Sequence, residues 1–290
     1  MALKVHVTGG EGFLGRYIID AMGEGYELDV TDVSSLDVTD QAATTKRLAA
    51  AKPDVVCHLA GLTGAGASLE DPRRFFEVNL TGTVNVLEAC RQAGVGGFVF
   101  LSSLTVHGQT ESGTVDEDSP RRPRHPYAGS KAAAELVVET YARCHQIRSA
   151  ILRPTLIAGE GQRESNAVTE FLEQAGRGEA IELFGDGSHQ REWLHPSDVG
   201  TAVRAAVDYV AATEDLVCEA FLVSSGAPVS MADVAKTAIA VAGRGELRFL
   251  PSTRQAFNLC TATDKARRLL RWSPDVDFVE IVRRCAAAQP

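Results

Sequence analysis

The chain has 290 residues, 44% apolar and 23% charged, which excludes a disordered chain and leaves room for one domain or a large and a small one. Its 29 Lys and Arg against 38 Asp and Glu give a net charge of −9. The basic residues are scattered apart from Arg121-Arg-Pro-Arg124, so nucleic acid is not an expected partner.

In chain order, short β-rich runs alternate with helical stretches, which predicts a doubly wound parallel sheet covered on both faces. Leu3–Val7 reads as a strand, Gly12–Met22 as a helix, Glu27–Val30 as a strand, Gln41–Ala51 as a helix and Val55–Leu59 as a strand. One long helix is predicted over Pro72–Ala93, ending at Gly94, followed by the apolar strand Phe98–Leu101. A helix from Tyr127 to Cys144 and a strand Ala150–Leu152 stopped by Pro154 complete the first part. Beyond it the pieces shorten: helices at Val168–Ala175, Pro196–Tyr209, Met231–Val241, Asp264–Leu270 and Phe278–Ala287, with strands at Ile181–Phe184 and Ala220–Val223. The expected organisation is a dinucleotide-binding unit over residues 1–157, to which 185–225 partly return, and a smaller substrate lobe from 158–184 and 226–290.

No apolar run approaches the roughly 20 residues that a spanning helix needs, so no membrane association is expected. Met1-Ala-Leu-Lys-Val-His-Val7 reads straight into a strand rather than as a secretion signal, and the cytoplasm is the expected compartment. The cysteines, at 57, 90, 144, 218, 260 and 285, form no C-x-x-C pair and no cluster with His. Reduced thiols and no metal centre are expected.

Thr8-Gly9-Gly10-Glu11-Gly12-Phe13-Leu14-Gly15 sits where the first strand turns into the first helix. Glycines at 9, 12 and 15 permit a tight turn and close approach of a pyrophosphate to backbone N–H groups at the helix N-terminus. Asp32, at the end of the second strand, is placed to bind both adenosine ribose hydroxyls; its charge repels a 2′-phosphate, and Val33-Ser34-Ser35 offers no Arg. NAD is therefore favoured over NADP. Tyr127-Ala-Gly-Ser-Lys131 sets a phenol and an ammonium at i, i+4 on one helix face, an arrangement that lowers the phenol's pKa toward use as a base. Ser103 ends the central strand, where open α/β sheets bind ligands, and is the expected donor to the substrate oxygen; Ser102 reads as a buried hydroxyl bonded to backbone.

The G-x-x-G-x-x-G spacing and Y-x-x-x-K together resemble the short-chain dehydrogenase/reductase superfamily. Ser102-Ser-Leu-Thr-Val-His-Gly108 resembles the S-S-x-x-V-Y-G of its extended branch, the NAD-dependent epimerase/dehydratase family. The resemblance implies a Rossmann-type fold, NAD as cofactor, a nucleotide-sugar substrate and Ser103, Tyr127 and Lys131 as catalytic residues; a homodimer is the expected assembly. It implies cofactor contacts from Gly9, Gly12, Phe13, Leu14, Gly15 and Asp32, from the pair Asp37-Val38, and from Leu59, Ala60 and Gly61 in the H-x-A-G turn. Asn79, whose alternative is a solvated helix Asn, and Pro154 of Leu152-Arg-Pro154 join them.

Phe184-Gly-Asp-Gly-Ser-His-Gln-Arg191 opens a segment resembling the G-D-G-x-x-x-R of sugar-nucleotide enzymes, which implies Arg191 as a phosphate clamp. Asn166 is implied as a diphosphate ligand and Arg254 as a second phosphate ligand, although Arg254-Gln-Ala-Phe257 departs from the family's R-x-G-D. Thr63 and His107 are the expected sugar contacts, with a hydrogen-bonded loop His as the alternative for His107. His107 replaces a Tyr, as does Ala158, and Leu156 replaces an Asn; these positions line or support the sugar pocket in relatives. Leu104-Thr105 stand where 4,6-dehydratases carry Asp-Glu and decarboxylating relatives a Glu, so neither reaction is expected. An NAD-dependent 4-epimerase is the leading expectation, a nucleotide-sugar ketoreductase the alternative, and a non-catalytic nucleotide sensor the reading from another class.

Overall fold

The computed structural model describes residues 2–109, 114–252 and 258–289. The first part runs β1 (Leu3–Thr8), α1 (Phe13–Met22), β2 (Tyr26–Thr31), α2 (Gln41–Ala51), β3 (Val55–His58), α3 (Gly82–Ala93), β4 (Gly97–Leu101), α4 (Pro126–His145) and β5 (Arg148–Pro154). The second runs α5 (Ala167–Gly176), β6 (Ala180–Phe184), α6 (Pro196–Ala212), β7 (Cys218–Val223), α7 (Met231–Ala242), β8 (Glu246–Leu250) and α8 (Phe278–Ala287).

Six strands form one parallel sheet in the order β7-β5-β4-β3-β1-β2. Its central strands are apolar throughout because both faces are covered, and successive residues feed opposite layers. Val55, Cys57, Val99 and Leu101 pack with Ile18 of α1 and Val199 and Val203 of α6. Val56, Phe98 and Phe100 pack with Leu48 of α2, Val86 and Leu87 of α3 and Val138 of α4. The winding reverses at β1, which pairs with β2 on one side and β3 on the other. Ligands of open α/β sheets sit beyond the carboxyl ends of the strands at such a switch point.

A second apolar core joins α5, α7 and α8 with the parallel pair β6/β8, around Phe171, Leu172, Ile181, Val234, Ile281 and Val282. Its helices start on side-chain caps: Asn166 for α5, Ser230 for α7 and Asp277 for α8. The closing segment packs back on the sheet layer, where Trp272 is buried and its indole N–H donates to Thr201 of α6 at 2.9 Å.

Two elements depart from the sequence expectation. The helix over 72–93 is not continuous: a turn Pro72–Phe76 passes through a π turn at Glu77–Thr81 before α3. The wide turn buries Asn79, whose side chain holds a neighbouring loop. Such turns recur at functional sites. The helix expected over 264–270 likewise carries a π turn, Ala266–Leu270. Strand β8 and the helix Ala65–Glu70 were not foreseen. Among the described residues, no helix is long and apolar enough to cross a membrane.

Candidate active site

The turn between β1 and α1 is built by steric exclusion. A Cβ on Gly15 would lie 2.2 Å from the Gly10 carbonyl oxygen, and one on Gly9, at φ +74°, would lie 2.7 Å from the Ala60 nitrogen. Gly10, absent from the motif reading, is just as constrained: its Cβ would meet Val30 Cγ1 at 2.2 Å. The Gly12 N–H donates to the Gly9 carbonyl at 3.3 Å, and α1 begins at Phe13 with no side-chain cap and no acidic residue in its first turn. A backbone cradle at a bare helix N-terminus suits a pyrophosphate.

Asp32 follows β2 beside this cradle, its Oδ2 accepting from the Glu11 N–H at 3.0 Å and its Oδ1 from the Val33 N–H at 2.7 Å. The carboxylate is thereby fixed at the carboxyl end of β2. Asp37 is occupied locally, accepting from the Thr39 N–H and hydroxyl at 2.9 and 2.8 Å, which holds its carboxyl below the usual range. Val38 is buried against Gly82.

Across the switch point, the loop after β3 is tied to β1: the Leu59 N–H donates to the Thr8 carbonyl at 3.1 Å and the Ala60 N–H to Thr8 Oγ1 at 3.4 Å. Asn79 grips the same loop, accepting from the Leu62 N–H at 2.7 Å and donating to the Leu62 carbonyl at 3.0 Å and to Ser130 Oγ at 2.9 Å. Asn79 is therefore neither solvated nor aimed at a ligand; it positions the loop. Gly61 makes room here, since a Cβ would lie 3.1 Å from Lys131 Nζ. Pro154 ends β5 opposite Val223, buried at the same end of the sheet.

The Tyr127, Lys131 and Ser103 side chains converge from α4 and β4. His125 caps α4, accepting from the Ala128 N–H at 3.2 Å, and stacks on Tyr127 with ring centroids 5.9 Å apart. Ser103 Oγ accepts from the Thr105 N–H at 3.2 Å and the Thr105 hydroxyl at 2.9 Å, and it hydrogen-bonds the Tyr127 phenol. Burial pushes the phenol up to about 12, against the lowering effect of that Ser103 bond, so the lowering expected from Lys131 is not seen in the protein without cofactor. Lys131 donates to the Leu101 carbonyl at 2.8 Å and lies 4.9 Å from the Phe100 ring centre; burial pulls its ammonium down to about 8.

Ser102 corrects one expectation. Its hydroxyl donates to the buried Glu135 carboxylate rather than to backbone, and Glu135 also pairs with Arg153 at 2.8 Å and Arg121 at 3.1 Å. For His107 the structure favours the alternative, a hydrogen-bonded loop His, over a sugar contact. It is fully buried, with Nε2 3.1 Å from Arg153 Nη1 and Nδ1 3.4 Å from the Pro120 carbonyl, so no face of it is left for a sugar. Burial and the Arg153 charge lower its pKa and keep it neutral.

In the second lobe, Asn166 is the α5 cap, accepting from Val168 N–H at 2.9 Å and donating to Gln162 Oε1 at 2.9 Å. That local use accounts for its amide and leaves no group directed at a diphosphate. Arg191 lies half-buried on a short strand against Val229 and donates to the Gln190 carbonyl at 2.7 Å; burial lowers its pKa. Ala158 is core, whereas Leu156 is 41% exposed. Thr63 donates to Glu164, a residue the motif reading passed over because it belongs to no motif. Arg254 lies outside the described residues.

The profile of the NAD dependent epimerase/dehydratase family matches residues 5–218. A UDP-glucose 4-epimerase of Rhizobium leguminosarum bv. trifolii is 30% identical over 96% of this chain and 95% of its own length. A dTDP-glucose 4,6-dehydratase of Streptomyces griseus is 28% identical over 97% of this chain and 92% of its own. Among solved structures, the UDP-glucose 4-epimerase of Thermus thermophilus in complex with NAD is similar at TM-score 0.83 and 28% identity, covering 99% of this chain and 98% of that one. The chain belongs to the NAD-dependent epimerase/dehydratase family, enzymes that use NAD and act on sugar nucleotides on a Rossmann-type fold.

Proposed function

We propose that this enzyme is a nucleotide-sugar 4-epimerase, which oxidises the C4 hydroxyl of the sugar, keeps the keto-sugar and reduces it again from the other face. The observation that carries the reading is the turn after Ser103. Leu104 is 4% exposed, and Thr105 spends its hydroxyl on Ser103. Neither supplies the acid and base that elimination of water requires, so a single proton relay remains, which suffices for alcohol–ketone chemistry.

The Gly9–Gly15 cradle would hold NAD, which would accept the hydride from the sugar carbon and return it. Tyr127 takes the hydroxyl proton and gives it back. Lys131, one helical turn from Tyr127 and with its ammonium pulled down to about 8 by burial, stabilises the phenolate. Ser103 donates to the substrate oxygen and holds it against Tyr127. Arg191 binds phosphate.

Protein purified without added cofactor is expected to release NAD(H) on denaturation and to interconvert UDP-glucose and UDP-galactose, or the dTDP-linked pair, with no net redox change. A protein that purifies empty and consumes NADH stoichiometrically with a 4-keto sugar nucleotide is a ketoreductase instead. Formation of a 4-keto-6-deoxy product marks a dehydratase, and NADH binding with no turnover marks a sensor. Tyr127→Phe is expected to lower kcat by ~10²-fold or more while NAD binding persists.

A further inference from the structure

The loop between the end of β5 and α5 is pinned at both ends. At one end the Glu160 carbonyl accepts from Arg16 at 2.7 Å and from the Tyr17 hydroxyl at 2.9 Å, while the Glu160 carboxylate pairs with His195 at 2.7 Å. At the other end Asn166 caps α5. Between these anchors Glu164 reaches across to the loop after β3, where its Oε1 accepts from the Thr63 hydroxyl. The same oxygen lies 3.8 Å from the point a Gly64 Cβ would occupy. The β3 loop is itself rigid, being held through Leu62 by Asn79. Two fixed loops, one on each side of the candidate site, thus meet through one carboxylate and one hydroxyl.

We propose that Glu164 and Thr63 form a hydroxyl-binding subsite for the sugar, and that the Glu164 carboxylate admits neutral hexoses and rejects sugars bearing a carboxylate at the end that faces it. The proposal rests on the nucleotide-sugar reading above and narrows its substrate class. An ionised carboxylate only accepts hydrogen bonds, so it recognises a group that carries a donor. In the free protein that donor is Thr63, an aliphatic alcohol of the same chemistry as a sugar hydroxyl. Among the described residues, no Lys or Arg forms an ion pair with Glu164, so its charge is left to act on what enters. Burial is the main cause that raises the Tyr127 phenol, and the Glu164 charge adds to it in the same direction. Glu164 and Thr63 are both exposed in the free protein, so a uronate carboxylate bound at this end would cover them and face a like charge.

The test measures binding and turnover of UDP-glucose and UDP-glucuronate, with UDP alone as control, for the NAD-loaded protein and its Glu164→Gln and Glu164→Asp variants. The unaltered enzyme is expected to prefer the hexose by about tenfold or more, the size of one charge-assisted bond. Glu164→Gln should weaken UDP-glucose by about tenfold, abolish the discrimination against UDP-glucuronate and leave UDP affinity unchanged. Glu164→Asp, which keeps the charge and shortens the reach, should weaken the hexose yet retain the discrimination. Equal hexose-to-uronate ratios in all three proteins, equal loss of discrimination in Gln and Asp, or a parallel loss of UDP binding would each overturn the subsite. If the unaltered protein binds no UDP- or dTDP-linked sugar, the nucleotide-sugar reading falls and the subsite with it.

Discussion

His58 illustrates how a titratable side chain serves the site without doing chemistry in it. It is fully buried at the end of β3, with Nδ1 2.7 Å from Thr8 Oγ1, Nε2 3.1 Å from Thr83 Oγ1 and its ring stacked on Phe100. Burial first, and then the Lys131 charge, pull its pKa down to about 3. The folded ring therefore stays neutral while the unfolded one takes up a proton near 6.5. Because the folded value lies below the unfolded one, stability is lost as pH falls from about 6.5 toward 3, by about 2 kcal/mol at pH 5. His58→Gln is expected to reduce by that amount the difference between urea denaturation free energies measured at pH 7 and pH 5. An unchanged difference would assign the acid sensitivity to other groups, such as the buried His6.

At the scale of elements, the β1–α1 turn and the π turn do related work, since each holds backbone where a ligand needs it. In the first, the obstacle to any side chain at position 15 is the Gly10 carbonyl, which cannot rotate away. Gly15→Ala is expected to cost 1–3 kcal/mol, roughly the penalty for overpacking, and to weaken NAD binding by about tenfold or more, read by NADH fluorescence titration. Gly176→Ala, at the end of α5 with nothing within 4 Å of the added methyl, is the control and should leave both unchanged or stabilise slightly. The motif spacing singled out glycines 9, 12 and 15. It missed Gly10, whose constraint comes from Val30 on the adjacent strand, and the π turn, which carries Asn79 against a loop 17 residues earlier.

For the molecule as a whole, a buried ionic network joins α4, β5 and the loop between β4 and α4. Glu135 is fully buried and is shared by Arg153, Arg121 and the Ser102 hydroxyl; Arg121 extends the network to Glu139, and Arg153 also donates to the Glu117 carbonyl at 3.0 Å. These bonds fix the helix that carries Tyr127 and Lys131 against the strand end that carries Ser103. Removing one partner strands a charge: Glu135→Leu is expected to cost about 3–5 kcal/mol in urea unfolding. The double variant Glu135→Leu with Arg153→Met should recover most of that loss, because no unpaired charge is left behind. Additive losses in the double variant would show that the network's other bonds, rather than the stranded charge, set the cost.

The parallel sheet and the glycine turn were legible in the sequence, and Asp32 and the Ser103, Tyr127 and Lys131 set could be proposed from it, because each depends on local spacing: alternation for buried strands, three glycines in one turn, two side chains one helical turn apart. The tertiary structure decided what distant segments share. It buried His107 against Arg153, 46 residues away, turned Asn166 into a helix cap and Asn79 into a loop clamp, paired β6 with β8, and brought Glu164 to Thr63 across 101 residues. A sequence window carries propensity and periodicity, whereas a hydrogen bond between loops depends on where the intervening sheet and helices hold their ends.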